Sequence, residues 1–279
     1  MPAPTQSAAA VRPSPIARAT VIVYHGVGDC PPRADPYHLI LPTAEFAWQM
    51  AFLARHRRVV PLAALVDESA RAEGWVDTED SRPAVAITFD DGYRSLLTTA
   101  LPILERYGFP AAAFVPTRWI GDRNRWDPPR PGASPLEIMD PGELRECALR
   151  GLEVGSHGHG HLHLTRLRTT EAEADLTASH VCLAEILGHA PQFVAYPWGE
   201  HSASVRVAAM RAGFVAGFSI NQLANGSFRR QRVGIRRSDT RSTFRVKTSG
   251  YYLRLRMSPL PRVGLRLLEP ALRHYRNGR

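Results

Sequence analysis

Ala84-Val-Ala-Ile-Thr-Phe-Asp-Asp-Gly92 is an apolar run that ends abruptly in two adjacent carboxylates and a glycine. It is short and rich in β-branched and aromatic residues, so it reads as a buried strand rather than a helix. Asp90 and Asp91 at its end bring two like charges together beside an apolar core, which is costly unless a cation or a shared proton relieves it. Asp-Asp-Gly is also an ordinary strand-ending turn, so this segment alone leaves both readings open. Three further runs change the balance. Thr20-Val-Ile-Val-Tyr-His25 ends in a histidine before Gly26. Leu152-Glu-Val-Gly-Ser-His157 opens the stretch His157-Gly-His159-Gly-His161-Leu-His163, and Phe193-Val-Ala-Tyr-Pro-Trp198 is closed by Gly199. All four carry polar or aromatic residues at their C-terminal ends. In a parallel α/β fold those ends gather on one face, where barrel active sites are built.

Helical patterns alternate with the runs. Phe46, Met50 and Leu53 fall on one side of a helix expected from about Thr43 to Arg55, and a core stripe accounts for them. Further helices are expected over 93–107, 140–150, 169–187 and 202–212, with strands at 111–116, 215–220 and 232–235. The proline-rich stretch Trp119 to Pro135 is too irregular for regular structure, and Asp67 to Pro83 reads as a charged surface excursion. Strand–helix alternation predicts an α/β fold. The expected architecture is a distorted (β/α) barrel of about seven parallel strands in a single domain, residues 20–245. A disordered leader (1–19) and a basic C-terminal tail (246–279) flank it.

The 279 residues are 44% hydrophobic, enough for an ordinary core. Lys and Arg number 35 against 26 acidic residues, a formal charge of +9. Much of the excess lies late in the chain, where it could meet an anionic membrane surface or a lipid-linked sugar; nucleic acid is not expected. Cys30, Cys147 and Cys182 are odd in number and widely spaced, without a redox or zinc pairing. The first nineteen residues lack the apolar core of a secretory signal. A cytoplasmic location is therefore expected, with the inner membrane face as a peripheral option.

Three segments together resemble the NodB-type polysaccharide deacetylases. Thr88-Phe89-Asp90-Asp91-Gly92 is similar to that family's first motif, which implies Asp90 as general base and Asp91 as metal ligand. Ser156-His157-Gly158-His159-Gly160-His161 is similar to the second, where two histidines four apart complete a metal site. Spacing alone does not choose among His157, His159, His161 and His163; the resemblance selects His157 and His161. Phe193 to Gly199 looks like the third motif and implies Tyr196, Pro197 and Trp198 as substrate-binding residues. Val23-Tyr24-His25 and the helix around Phe46 resemble a circularly permuted, exopolysaccharide-associated branch, in which an N-terminal histidine, here His25, supplies the general acid. The sequence departs from the pattern at Gly158, where Ser or Thr is usual, and at Ala195, where an arginine often orients the catalytic Asp. Asp239 with Arg236 and Arg237 is a candidate replacement for that orienting pair.

One carboxylate and two imidazoles make a three-ligand site with an open position, suited to a divalent metal: zinc first, cobalt or nickel next. A carboxylate off the metal can take a proton from an acidified water, and a backbone N–H near Trp198 would face the oxyanion. The expected activity is metal-dependent removal of N-acetyl groups from the sugars of a polysaccharide, of exopolysaccharide or cell-wall type. A C–N hydrolase acting on a small amide or lipid-linked sugar is the alternative among enzymes, and a non-catalytic carbohydrate-binding barrel the alternative outside them.

Overall fold

A computed structural model describes residues 19–66, 80–128, 130–220 and 226–253. The expectations for the leader, for most of the excursion after Val66 and for the tail beyond Leu253, including its membrane or lipid partners, lie outside the described residues. No helix among the described residues is long and apolar enough to cross a membrane.

In chain order the strands are β1 (Thr20–Tyr24), β2 (Gly26–Val27), β3 (Ile40–Leu41), β4 (Arg58–Val59), β5 (Ala84–Phe89), β6 (Ala111–Val115), β7 (Glu153–Ser156), β8 (Phe193–Ala195), β9 (Ala216–Ser219) and β10 (Arg230–Gly234). The principal helices are α1 (Thr43–His56), α2 (Leu101–Glu105), α3 (Pro141–Leu149), α4 (Thr169–Leu187), α5 (Ala203–Arg211) and α6 (Arg241–Lys247). A π-helical turn, Leu96–Ala100, leads into α2. Seven parallel strands run β1-β10-β9-β8-β7-β6-β5, and β1 pairs again with β5 from Thr20↔Val85 to Tyr24↔Phe89, closing the barrel. The expected α/β barrel is the observed one. β4 adds an eighth strand beside Ala84 and Val85, before β6 takes up pairing at Ile87. The short β2–β3 pair, unforeseen in the sequence, ties down the loop that follows His25.

Closure explains why the strands read as continuous apolar runs: both faces are covered. One alternate set (Val21, Ala86, Ala112, Phe114, Phe193, Ala195 and Phe218) fills the barrel, and the other (Ile22, Tyr24, Ile87, Phe89, Ala113 and Val115) packs beneath the helices. Phe46, Met50 and Leu53 of α1 are fully buried in that outer core. The interior is small enough to need a glycine in β7. A Cβ on Gly155 would lie 2.8 Å from both the Phe114 ring and the Phe193 carbonyl oxygen. Gly155→Ala should therefore destabilise the protein by about 1–3 kcal/mol, the usual cost of overpacking, visible as a lower thermal midpoint; an unchanged midpoint would show that the interior has slack.

Candidate active site

The β1–β5 register aligns Tyr24 with Phe89, and the Asp90 N–H donates to the Tyr24 carbonyl at 2.9 Å. His25 and Asp90 therefore leave the barrel side by side, although they lie far apart in sequence. The chain turns sharply after Asp90: Asp91 and Gly92 both have positive φ, 71° and 64°. Glycine is required at the second position, because a Cβ there would meet Val115 at 2.9 Å. This turn gives Asp90 to Arg232 and Asp91 to His161, with His157 Nε2 near both, 3.9 Å from Asp90 Oδ2 and 3.6 Å from Asp91 Oδ1.

Asp90 is 2% exposed and faces an arginine with no exposed surface at all. Arg232 of β10 reaches across the barrel mouth and donates Nη1 to Oδ1 at 2.6 Å and Nη2 to Oδ2 at 2.7 Å. The same guanidinium donates to Thr88 Oγ1 and lies 5.2 Å from the centre of the Phe114 ring. Burial by itself would push the Asp90 carboxyl up. The charge of Arg232, then that of His157, and the forked hydrogen bonds outweigh it and hold the carboxyl below the ordinary carboxylate range. Asp90 is thus a buried, ionised and rigid carboxylate.

Asp91 turns toward the histidines. Its Oδ1 lies 3.3 Å from His161 Nε2 and 3.6 Å from His157 Nε2, and no hydrogen-bond donor satisfies it although it is buried. His157 donates Nδ1–H to the Ala195 carbonyl at 2.7 Å, which leaves the Nε2 lone pair facing Asp91. Burial, the largest influence, pushes the His157 imidazole down to about 4, so it is neutral near pH 7. The ligand atoms of Asp91, His157 and His161 lie within 4.8 Å of one another. An orphaned carboxylate oxygen between two imidazole nitrogens, one of them fixed in the ligating tautomer, fits a divalent cation with nitrogen and oxygen ligands.

The other two histidines point elsewhere. His159 shares a 2.8 Å hydrogen bond with Thr117 Oγ1, and His163 stacks on Trp198 with ring centres 4.5 Å apart and planes 12° apart. The alternation that the sequence left open is resolved by a loop clamped from below. Asp175 of α4 accepts the His159 and Gly160 N–H groups, both at 2.8 Å. Gly158 follows from that clamp: its φ is +72°, and a Cβ would stand 2.9 Å from Asp175 Oδ2.

Trp126 and Trp198 flank His161, at 4.3 and 5.0 Å between ring centres. Trp198 donates Nε1–H to the His161 carbonyl, is 39% exposed and has φ 63°. Among the described residues four non-glycine residues have positive φ, and three of them (Asp91, His161 and Trp198) are in this site. Such conformations cost roughly 1–3 kcal/mol each and persist where surrounding contacts enforce them. Tyr196 and Pro197 are buried, and the Tyr196 hydroxyl donates to the Phe228 carbonyl. Of the three residues expected at the substrate, only Trp198 therefore offers a ring to a ligand; the other two support its turn.

The polysaccharide deacetylase family model matches residues 77–217, just over half of the chain. The chain belongs to the polysaccharide deacetylase family. YxkH of Bacillus subtilis (strain 168), a protein named as a polysaccharide deacetylase, is 22% identical over 201 residues, which are 72% of this chain and 64% of YxkH. This chain thus spans less than two thirds of that relative. Among solved structures, the deacetylase PplD of Streptococcus pyogenes, in complex with acetate, superposes with a TM-score of 0.65 at 19% identity, covering 86% of this chain and 98% of PplD. IcaB of Ammonifex degensii gives 0.64 at 20% identity, covering 84% and 96%. At these identities the likeness speaks for the fold.

Arg232, like Asp175, carries a role at this site that the sequence does not announce. Asp239 does not orient Asp90: it pairs with Lys247 Nζ at 2.6 Å and accepts the Arg236 backbone N–H. Arg232 stood within a cluster of arginines and was legible only as part of a basic stretch. A sharper signal was available, since Arg230-Gln-Arg-Val-Gly is the last strand of a barrel whose strands are buried on both faces. A charged side chain there needs an internal partner.

Proposed function

We propose that this chain is a metal-dependent hydrolase that removes N-acetyl groups from the sugars of a polysaccharide. The observation that carries the reading is the division of the strand-end carboxylates: the ligand atoms of Asp91, His157 and His161 converge, while Asp90, 3.9 Å from His157 Nε2, has both oxygens taken by Arg232. Asp91, His157 and His161 would hold the cation, with zinc the first candidate. When bound it would supply Lewis acidity to the amide carbonyl and acidify a nearby water. Asp90, held ionised by Arg232 and outside the ligand group, is free to take that proton, and the acidified water offsets its weakness as a base. His25 stands beside Asp90 and is near enough for its charge to act on Asp90, Asp91 and Asp127 alike. It would give the proton that the leaving amine needs, and the half-exposed Trp198 ring would lie against the sugar.

The decisive test is acetate release from N-acetylated oligosaccharides by protein reconstituted with zinc, cobalt or nickel. Release that depends on added metal and disappears in Asp90→Asn is expected. Turnover of small amides with no release from any saccharide would overturn the substrate assignment. His25→Ala should lower kcat about a hundredfold or more, the range of a positioned acid, with metal content unchanged and the high-pH limb of the rate profile lost. A normal rate in that variant would return His25 to a structural role.

A further inference from the structure

Two helices on one flank of the barrel, α1 and α6, build a surface that the chemistry at the mouth does not use. Trp48 and Phe52 of α1 are partly buried at the edge of the outer core and stack on each other, with ring centres 5.7 Å apart and planes 22° apart. The fully buried Phe244 of α6 meets both rings edge-on. Three guanidinium groups cover this aromatic base. Arg241 lies 4.7 Å from the centre of the Trp48 ring, and Arg57 and Arg245 lie 5.1 and 5.7 Å from that of Phe52. Arg57 also ties the helices together, donating to the Thr248 carbonyl at 2.7 Å and to the Arg245 carbonyl at 3.0 Å. Both helices therefore end beside β4, which pairs with the first residues of β5, at the end of the barrel opposite Asp90.

The flank is positive and unneutralised. Among the described residues none of Arg55, Arg57, Arg241 and Arg245 pairs with a carboxylate. Asp239 is committed to Lys247, and Glu45, the sole carboxylate of α1, has its Oε1 buried. Arg241 stands against local preference: it opens α6, where a cation opposes the helix dipole and no acidic residue compensates. Such a surface calls for an anion from outside the chain.

The described chain ends on this flank. Val246 is 36% and Tyr251 56% exposed, while Tyr252 and Leu253 pack against the same outer core as Trp48 and Phe52. Beyond Leu253 the sequence continues with seven arginines, six leucines and one acidic side chain, Glu269. Arginine interspersed with leucine and tyrosine suits a bilayer surface, with guanidinium groups at the phosphates and apolar side chains at the acyl boundary. An acidic polysaccharide would engage the charge and leave the apolar side chains without a partner.

We infer that the α1–α6 flank is a peripheral docking surface for an anionic phospholipid bilayer, with Arg241 and Arg245, held over aromatic rings, as its phosphate-binding pair. Docking there leaves the mouth unobstructed. The inference is independent of the reaction assigned to the mouth, because the two surfaces share no residue.

The test is co-sedimentation of the full chain with vesicles. Binding to phosphatidylglycerol mixed with phosphatidylcholine should be at least about tenfold tighter than to phosphatidylcholine alone, and should weaken about as much when salt rises from about 0.1 M to about 0.5 M. The double variant Arg241→Gln, Arg245→Gln should lose about tenfold or more. The charge-matched variant Arg106→Gln, Arg145→Gln, at exposed positions on other helices, should stay within about twofold of wild type. Hydrogen exchange on the unmodified chain reads the same face without a substitution: mixed vesicles should slow exchange over 241–253 and leave 156–163 unchanged. Equal losses in the two variants would mean that net charge alone binds, and would overturn the inference. Full binding by the Arg241→Gln, Arg245→Gln protein would do so too, since it would assign attachment to the residues after Leu253 alone. Capture by a soluble polyuronate without vesicle binding would give the flank to an acidic glycan and overturn the bilayer assignment.

Discussion

Replacing Arg232 by methionine should destabilise the protein by about 3–5 kcal/mol, the cost of stranding one member of a buried ion pair, and should nearly abolish activity. Both effects have one origin. Asp90 is 2% exposed, and its two oxygens are committed to Arg232. Without the guanidinium, burial is the largest remaining influence on the carboxyl, and it raises the proton affinity. The folded pKa of Asp90 in the wild type lies below its unfolded value of about 3.9. The pairing therefore contributes fully above that pH and is lost as pH falls through the depressed value. In the methionine variant the sign reverses: Asp90 becomes easier to protonate in the folded protein than in the unfolded chain. The acid limb of any residual kcat/KM profile should move to higher pH, a shift that a merely loosened fold would not produce. Asp90→Asn alone should also destabilise, since it strands Arg232 instead. Combining Arg232→Met with Asp90→Asn should restore most of the loss, because neither charge then remains. Additive losses in the double variant would mean that the pair contributes nothing as a pair.

Arg232 also marks the limit of what the sequence made legible. Chemistry at strand ends could be read, because Asp90, Asp91, His25 and His157 each close a recognisable apolar run, and parallel closure brings such ends together. Chemistry within a strand could not be read so directly. Arg232 sits mid-strand among other arginines, and only the β10–β1–β5 neighbourhood turns its charge inward toward Asp90. Asp175 was hidden in the same way: it lies on an ordinary helix, and its role comes from two N–H groups of a loop that no helical periodicity encodes. The proline-rich 119–135 stretch gave no regular pattern to follow, and it carries Trp126 and Asp127 to the centre. Register and loop path, rather than composition, are the information that folding adds.

The histidine stretch is where that added information has its largest measurable consequence. His157, His159, His161 and His163 alternate with glycine or leucine in one short segment, yet only two aim an imidazole nitrogen at Asp91. His157→Ala or His161→Ala should each remove one of three ligands. Losing a second-layer partner of a ligand typically weakens metal binding roughly 10–100-fold, so losing the ligand itself should exceed a hundredfold and leave the purified protein essentially metal-free. His159→Ala breaks only the bond to Thr117, and the Asp175 clamp on the loop backbone survives it. His163→Ala removes a ring stacked on Trp198, so any cost should fall on saccharide binding rather than on metal. Both should retain near wild-type metal content by elemental analysis. Asp91→Asn should behave like the ligand histidines, whereas Asp90→Asn should keep its metal while losing turnover. A metal-free His159→Ala protein beside a metal-replete His161→Ala protein would reverse the assignment. Equal metal loss in Asp90→Asn and Asp91→Asn would remove the division of labour between the two carboxylates while leaving the site in place.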